Sequence, residues 1–248
     1  MTPAYFERYG DANKPAIVFL HGIRLGRAMW AEQARALQDA FCILAIDLPG
    51  HGAATEIPFT HDHLIATIDA AMDASGIARA TVVGYSLGGY VAIDYAHTRP
   101  ERVSALFLDA CALDPEGWKA WPYPFAATVA NALPSSALHA LALPIIYATL
   151  PFATAQMVAG IPFNANMLVE LGRYITERPR FSELLASYQG PVAIANAALD
   201  YVFRMDEERF LRSSKRSRYI PIPGFDHVAP LREPHAFAKA VGRFAAAN

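Results

Sequence analysis

A short apolar run, Ala80-Thr81-Val82-Val83, passes through Gly84-Tyr85-Ser86-Leu87-Gly88 into Gly89-Tyr90-Val91-Ala92-Ile93-Asp94-Tyr95-Ala96. The β-branched run bounded by glycine reads as a buried strand, and the segment after the turn reads as a helix. A serine between glycines at such a junction predicts a sharp strand-to-helix turn. Small neighbours leave room for it, and the hydroxyl stands above the sheet edge. The Leu87 amide, at the positive end of the new helix, would then face any oxyanion forming on a bound molecule. Ser86 is the candidate nucleophile.

The rest of the chain repeats the strand–helix alternation. Candidate strands are Ala16–Leu20, Cys42–Ile46, Thr81–Val83, Ala105–Leu108, Val192–Ala195 and Arg218–Ile222, with Tyr5–Tyr9 as an edge strand. Between them, Leu64, Ile65, Ile68 and Met72 recur at helical spacing, as do Phe237, Val241 and Phe244. This pattern predicts an α/β fold: a mostly parallel sheet with helices on both faces. A chain of 248 residues with 54% hydrophobic and 18% charged residues has ample material for a large core. A formal net charge of −2 supplies no basic field for nucleic acid. Cys42 and Cys111 fall in or beside apolar strand-like runs and read as buried thiols, neither a disulfide nor a metal pair. No secretion signal is visible at the N-terminus, so a cytoplasmic location is the default expectation.

The alternation breaks after Asp109. From Ala120 to Val169, fifty residues contain no Asp, Glu, Lys or Arg, and prolines at 122, 124, 134, 144, 151 and 162 interrupt them. No apolar span long enough to cross a bilayer survives those prolines and Ser135, Ser136 and His139. Short helices folded over the sheet are expected instead. Charges are costly to bury, so an uncharged insertion suits dry surfaces: packing, the lining of an apolar substrate pocket, or a contact with a second copy or a membrane surface.

A serine hydroxyl needs a base, usually a histidine held by a carboxylate. His227 lies in Pro223-Gly224-Phe225-Asp226-His227-Val228-Ala229-Pro230, after the last strand and before the final helix. Loops following parallel strands converge at one sheet edge, so His227 is expected to meet Ser86 there. Pro191-Val192-Ala193-Ile194-Ala195-Asn196-Ala197-Ala198-Leu199-Asp200 runs from a strand into a loop ending in an acid, which makes Asp200 the preferred partner of His227. Asp109 is its main rival, with Asp206 and Asp226 more remote. Two amides would form the oxyanion hole: Leu87, and Ile23 in the loop Phe19-Leu20-His21-Gly22-Ile23-Arg24. Arg24 and Tyr85 are candidate substrate contacts, although a surface or ion-paired role for Arg24 is the blander alternative.

These residues resemble the α/β-hydrolase superfamily, in its capped, esterase-like branch. The resemblance rests on His21-Gly22 after a strand, Asp47-Leu48-Pro49-Gly50-His51-Gly52 after the next, the Gly84–Gly88 turn with Gly89, Asp200, and Gly224–Pro230 with His227. The order Ser, Asp, His matches, and nearly the whole chain is covered except residues 114–188. Ala197 departs from the pattern, since glycine often stands three residues before the acid. A serine in the turn disfavours the haloalkane dehalogenases and epoxide hydrolases of this fold, which use aspartate there.

The resemblance implies a hydrolase core at 1–113 and 189–248, and a helical cap (lid) at 114–188 inserted after the sixth strand. It also implies a serine hydrolase acting on a small-to-medium apolar ester, lactone or thioester. No metal or organic cofactor is expected: there is no H-E-x-x-H, no Cys/His ligand cluster and no G-x-G-x-x-G opening a helix. The expected partners are a small-molecule ester and, through the uncharged cap, a second copy; neither nucleic acid nor a membrane span is expected. Two alternatives remain. One is a carbon–carbon bond hydrolase or non-acylating lyase on the same triad; the other is a small-molecule receptor with little turnover.

Overall fold

A computed structural model describes residues 5–161, 164–222, 224 and 226–248, with the side chains at 153 and 157 left aside. Pro162, Pro223 and Phe225 and the first four residues, all used above, lie outside the described residues. The strands are β1 (Phe6–Tyr9), β2 (Ala16–Leu20), β3 (Cys42–Ile46), β4 (Ala80–Tyr85), β5 (Val103–Asp109), β6 (Val192–Ala197) and β7 (Ser217–Ile222). The helices are α1 (Ala31–Leu37), α2 (His61–Ala74), α3 (Leu87–Thr98), α4 (Pro122–Ala132), α5 (Ser135–Thr149), α6 (Phe152–Ala159), α7 (Ala165–Thr176), α8 (Phe181–Ala186), α9 (Glu207–Ser213), α10 (Ala229–Arg232) and α11 (Pro234–Ala246).

The strands form one sheet in the order β1-β3-β2-β4-β5-β6-β7, with only β1 antiparallel to its neighbour. Side chains alternate between its faces, and the apolar residues sort accordingly. Val18, Leu20, Leu44, Val82, Leu106 and Ile194 pack in a cluster with residues of α2, α3 and α8. Ile17, Phe19, Ile43, Val83, Phe107 and Ala193 pack on the other side with Trp30, α1 and α11. Both faces are covered, which is why the strands read as continuous apolar runs rather than as alternating ones. Cys42 and Cys111 are free and buried, as expected.

The chain leaves β2 for β3 on one side and later enters β4 on the other. This reversal opens a crevice at the C-terminal ends of β2 and β4, where parallel α/β sheets bind ligands. Three of the observed strands, β4, β5 and β6, are longer than expected at this edge. β4 continues to Tyr85 because it pairs with β5 as far as Tyr85 opposite Asp109. The insertion follows the fifth strand, not the sixth. Among the described residues β1 alone precedes β2, and it is consumed in closing the edge against β3.

Helices α4 to α7 carry the uncharged stretch. Met167, Leu171, Tyr174 and Ile175 of α7 join the cluster on the α2–α3 side. Ile146 of α5 and Ala155 and Val158 of α6 join the opposite one. Polar ties hold the ends of the segment. Buried Asp114 accepts from Ser182 N–H at 3.1 Å and Ser182 Oγ–H at 2.5 Å, while Asp206 accepts from Asp114 N–H at 2.9 Å. Buried Asp94 of α3 receives Tyr174 Oη–H at 3.0 Å, Arg178, and His61 at 2.8 Å. No helix among the described residues is long and apolar enough to cross a membrane.

Two buried imidazoles fix the loops beneath the crevice. His21 Nε2 accepts Leu48 N–H at 3.0 Å, which leaves the Nδ1 proton for Gly22 O at 2.8 Å. His51 Nδ1–H donates to Pro49 O at 2.9 Å, and its ring meets His21 edge-on at 5.0 Å. Burial lowers His21 to about 4; burial and then the neighbouring His21 lower His51 to about 3. The unfolded chain therefore binds protons first as pH falls below the ordinary histidine value, and folding stability declines from there downward. We expect a loss of roughly 3 kcal/mol from His21 alone by pH 4. Urea midpoints should start to fall near pH 6.5, above the carboxylate range, and less steeply in His51→Gln. A flat profile down to pH 5 would contradict this.

Candidate active site

Ser86 joins β4 to α3 with φ 53° and ψ −117°, a left-handed backbone that a residue with a Cβ adopts only under constraint. The surroundings provide that constraint. A Cβ on Gly84 would lie 2.2 Å from Gly88 O, and one on Gly88 would lie 2.2 Å from Leu20 O. The first turn of α3 is thus pressed directly onto β4 and the end of β2. Ser86 N–H donates to Asp109 O at 2.8 Å, which ties the turn to β5 as well.

Three distant side chains meet above this turn. His227 Nε2 lies 3.0 Å from Ser86 Oγ, and its Nδ1 lies 2.7 Å from Asp200 Oδ2. A carboxylate partner makes Nδ1 the protonated nitrogen, so Nε2 is the acceptor for the serine proton. Asp200 is buried in the turn after β6, where its own N–H donates to Ala197 O at 3.3 Å and its Oδ1 accepts Phe203 N–H at 3.3 Å. Phe203 stacks on the imidazole at 4.4 Å, and Tyr85 lies on it at 5.3 Å.

The rival acids are placed elsewhere. Asp109 is buried at the end of β5 and its Oδ2 has no hydrogen-bond partner among the described residues. Burial, then the nearby Asp200, push its pKa well above the ordinary value, favouring the neutral acid. Asp206 serves Asp114 N–H and Lys119, and Asp226 accepts Val228 N–H at 3.2 Å and pairs with Arg232 at 3.3 Å. His97 bonds Ser187 at 2.7 Å on the far end of α3. Asp47 accepts from the N–H groups of Arg27 at 2.7 Å and Ala53 at 3.0 Å, a loop-to-loop tie.

A cavity of about 190 Å³ opens onto Ser86 and His227, and Ile23, Arg24 and Tyr85 also line it. The Ile23 and Leu87 amides donate to no backbone acceptor among the described residues, so both N–H groups remain available at this edge. Arg24 is half-buried with φ 59°, and burial lowers its guanidinium pKa. Burial, followed by Asp109, Asp200 and Asp226, raises the Tyr85 phenol well above its ordinary value. No group of three or more metal-ligating side chains occurs among the described residues.

A family model described as the α/β hydrolase fold matches residues 15–145, more than half of the chain. The chain belongs to the α/β-hydrolase family. A pimeloyl-[acyl-carrier protein] methyl ester esterase of Chromobacterium violaceum is 28% identical over 240 residues, covering 92% of each chain. The enzyme of the same name from Vibrio parahaemolyticus is 35% identical over 109 residues, which span 44% of this chain and 41% of that relative. Among solved structures, a hydrolase from Pseudomonas aeruginosa PA01 superposes with a TM-score of 0.81 at 25% identity, covering 96% of this chain and 92% of that one.

Several neighbours of the α/β-hydrolase site carried no sequence signal. Phe203 belongs to no motif, and its position on the imidazole follows from the turn at Asp200. Ile145, Ile146, Leu150 and Val158 line the cavity from α5, the residue after it, and α6. Their helical spacing marks a face, but nothing in the sequence says that this face meets Ser86. The close contact beneath the turn gives a direct test. Gly88→Ala should cost about 3 kcal/mol or more, because the clash is with main chain that cannot step aside. A urea midpoint within error of the unmodified protein would refute the packing described.

Proposed function

We propose that this chain is a serine carboxylic-ester hydrolase that works through an acyl-enzyme. The observation supporting it is the continuous relay from Asp200 through His227 to Ser86 Oγ, at the wall of a largely apolar cavity. Ser86 Oγ attacks the ester carbonyl while its proton passes to His227 Nε2. Asp200 holds the Nδ1 proton and stabilises the resulting imidazolium. The oxyanion takes hydrogen bonds from Ile23 and Leu87 N–H, each such donor being worth about 3 kcal/mol in the transition state. The carbon–oxygen bond then breaks, the leaving alcohol takes the proton from Nε2, and water activated by the same nitrogen releases the acid and restores Ser86.

Residues 114–188 act in this reading as the cap whose uncharged helices keep water from the acyl-enzyme. The esterase names of the two relatives agree with the reaction class. A cavity of about 190 Å³ suits a short acyl group, since a water-sized group occupies about 30 Å³ of liquid.

An activity-based fluorophosphonate and a chain-length series of p-nitrophenyl esters test the reading together. One equivalent of label should bind, and Ser86→Ala should abolish both labelling and turnover. Turnover should be greatest for short acyl chains and decline beyond them. Asp200→Asn should lower kcat by about 10⁴, as loss of the orienting carboxylate does in other serine triads, and Asp109→Asn by far less. Labelling without turnover of any ester would favour the non-acylating lyase; equal losses in the two Asp variants would remove Asp200 from its role.

A further inference from the structure

The helices around the cavity are fixed to the core in two different ways. Carboxylates tie α7: Asp94 of α3 accepts Tyr174 Oη–H at 3.0 Å and pairs with Arg178, and Glu170 Oε2 accepts Phe59 N–H at 2.6 Å. Helices α5 and α6 carry no Asp, Glu, Lys or Arg, and Ile146, Ala155 and Val158 pack them on the core. Among the described residues, one hydrogen bond joins either helix to the α/β core: Arg232 Nη2 donates to Thr149 O at 2.6 Å.

That bond has a defined setting. Thr149 ends α5, where carbonyls lack an intrahelical partner and a cation is favourable. Arg232 ends α10, which follows the His227 loop and is seated by buried Gln33, whose Nε2–H donates to Pro230 O at 2.8 Å. The same guanidinium nitrogen lies 3.3 Å from Asp226 Oδ2, so Arg232 stands between the His227 loop and α5. Both sides of this bridge are cavity wall: Ile145, Ile146, Thr149 and Leu150 on one, Val228 and Leu231 on the other. Pro144 supplies a joint. It has no N–H for the carbonyl of Ala140, so α5 bends most readily there, and every α5 residue lining the cavity lies beyond it.

We infer that Arg232 is a specificity-determining residue: its hold on the Thr149 carbonyl keeps the second half of α5 over Ser86 and sets the short acyl length that the cavity accepts. This rests on the ester-hydrolase reading above and deepens it. With the bond made, the cavity measures about 190 Å³. Without it, α5 beyond Pro144 is held by apolar contacts, which have no fixed direction, and the wall yields to a longer chain. Each added methylene then gains apolar burial against Ile146, Leu150 and Val158. Arg232 and Asp226 both reach solvent, so water substitutes for the lost bond and the fold does not depend on it.

The test compares p-nitrophenyl octanoate with p-nitrophenyl butyrate, and the readout is the ratio of their kcat/KM values. In Arg232→Ala the octanoate-to-butyrate ratio should rise at least threefold through a lower KM for octanoate, with a thermal melt close to that of the unmodified protein. Arg232→Lys, which still presents a cationic donor, should fall between the two. Arg212→Ala, which removes an exposed cation paired only with Glu208, should leave the ratio unchanged. Amide hydrogen exchange gives a second readout: residues 145–150 should exchange faster in Arg232→Ala, and residues 165–176 at the same rate.

A rise smaller than threefold, equal losses on both esters, or a lysine variant indistinguishable from alanine would overturn the inference while leaving the hydrolase intact. If neither protein turns over any ester, the hydrolase reading itself fails. Exchange then tests the hold on α5 alone, and equal rates at residues 145–150 in both proteins would overturn it.

Discussion

The left-handed serine turn is the constraint on which the site depends. A backbone at φ 53° holds only where its neighbours leave no alternative, and here the first turn of α3 is clamped between β4 and the end of β2. The same clamp aims the hydroxyl over the sheet edge and the Leu87 N–H along the helix axis. It also joins three central strands, because Ser86 N–H is held by the last carbonyl of β5. The energy stored in the turn is therefore borne by the most buried part of the sheet, far from solvent and from fraying ends.

Around that turn, polarity is arranged so that few charges have to be buried. Asp109 and Asp200 lie close enough for Asp200 to raise the pKa of Asp109, and among the described residues Asp109 Oδ2 has no hydrogen-bond partner while Asp200 does. Asp200 has His227 and the Phe203 amide, while Asp109 contributes its main-chain carbonyl and keeps a carboxyl that favours the neutral form. Beneath them, both ring nitrogens of His21 and Nδ1 of His51 bond main-chain groups, and burial keeps both rings neutral at ordinary pH. The loops that shape the crevice are thus held by hydrogen bonds that need no counterion.

The uncharged segment after β5 is held at its margins and apolar in its middle. Asp94 and Asp114 collect the donors at the joins, and the helices between them divide their buried faces between the two sides of the sheet. Straddling the edge in this way puts α5 and α6 over the crevice. An apolar wall opposite Ser86 then makes every polar group within reach, Arg24 included, count for more than it would in water.

Much of this was legible from residue order alone. Strands buried on both faces announce themselves as short β-branched runs, and a serine flanked by glycines at a strand end permits essentially one kind of turn. Ser86, Asp200 and His227 could be paired because parallel strands deliver their following loops to one edge, so topology stands in for distance. The ambiguity between Asp109 and Asp200 was different in kind: Asp109 ends β5 and Asp200 lies in the turn after β6, both at the right edge, and only the packed chain brings one of them beside His227. The number of strands before the insertion, the contact of Phe203 with the imidazole, and the faces of α5 and α6 that meet the cavity were likewise settled in three dimensions. Local propensity records whether a residue is buried, whereas the identity of its neighbours depends on how segments far apart in sequence pack, and that information exists only once the chain has closed on itself.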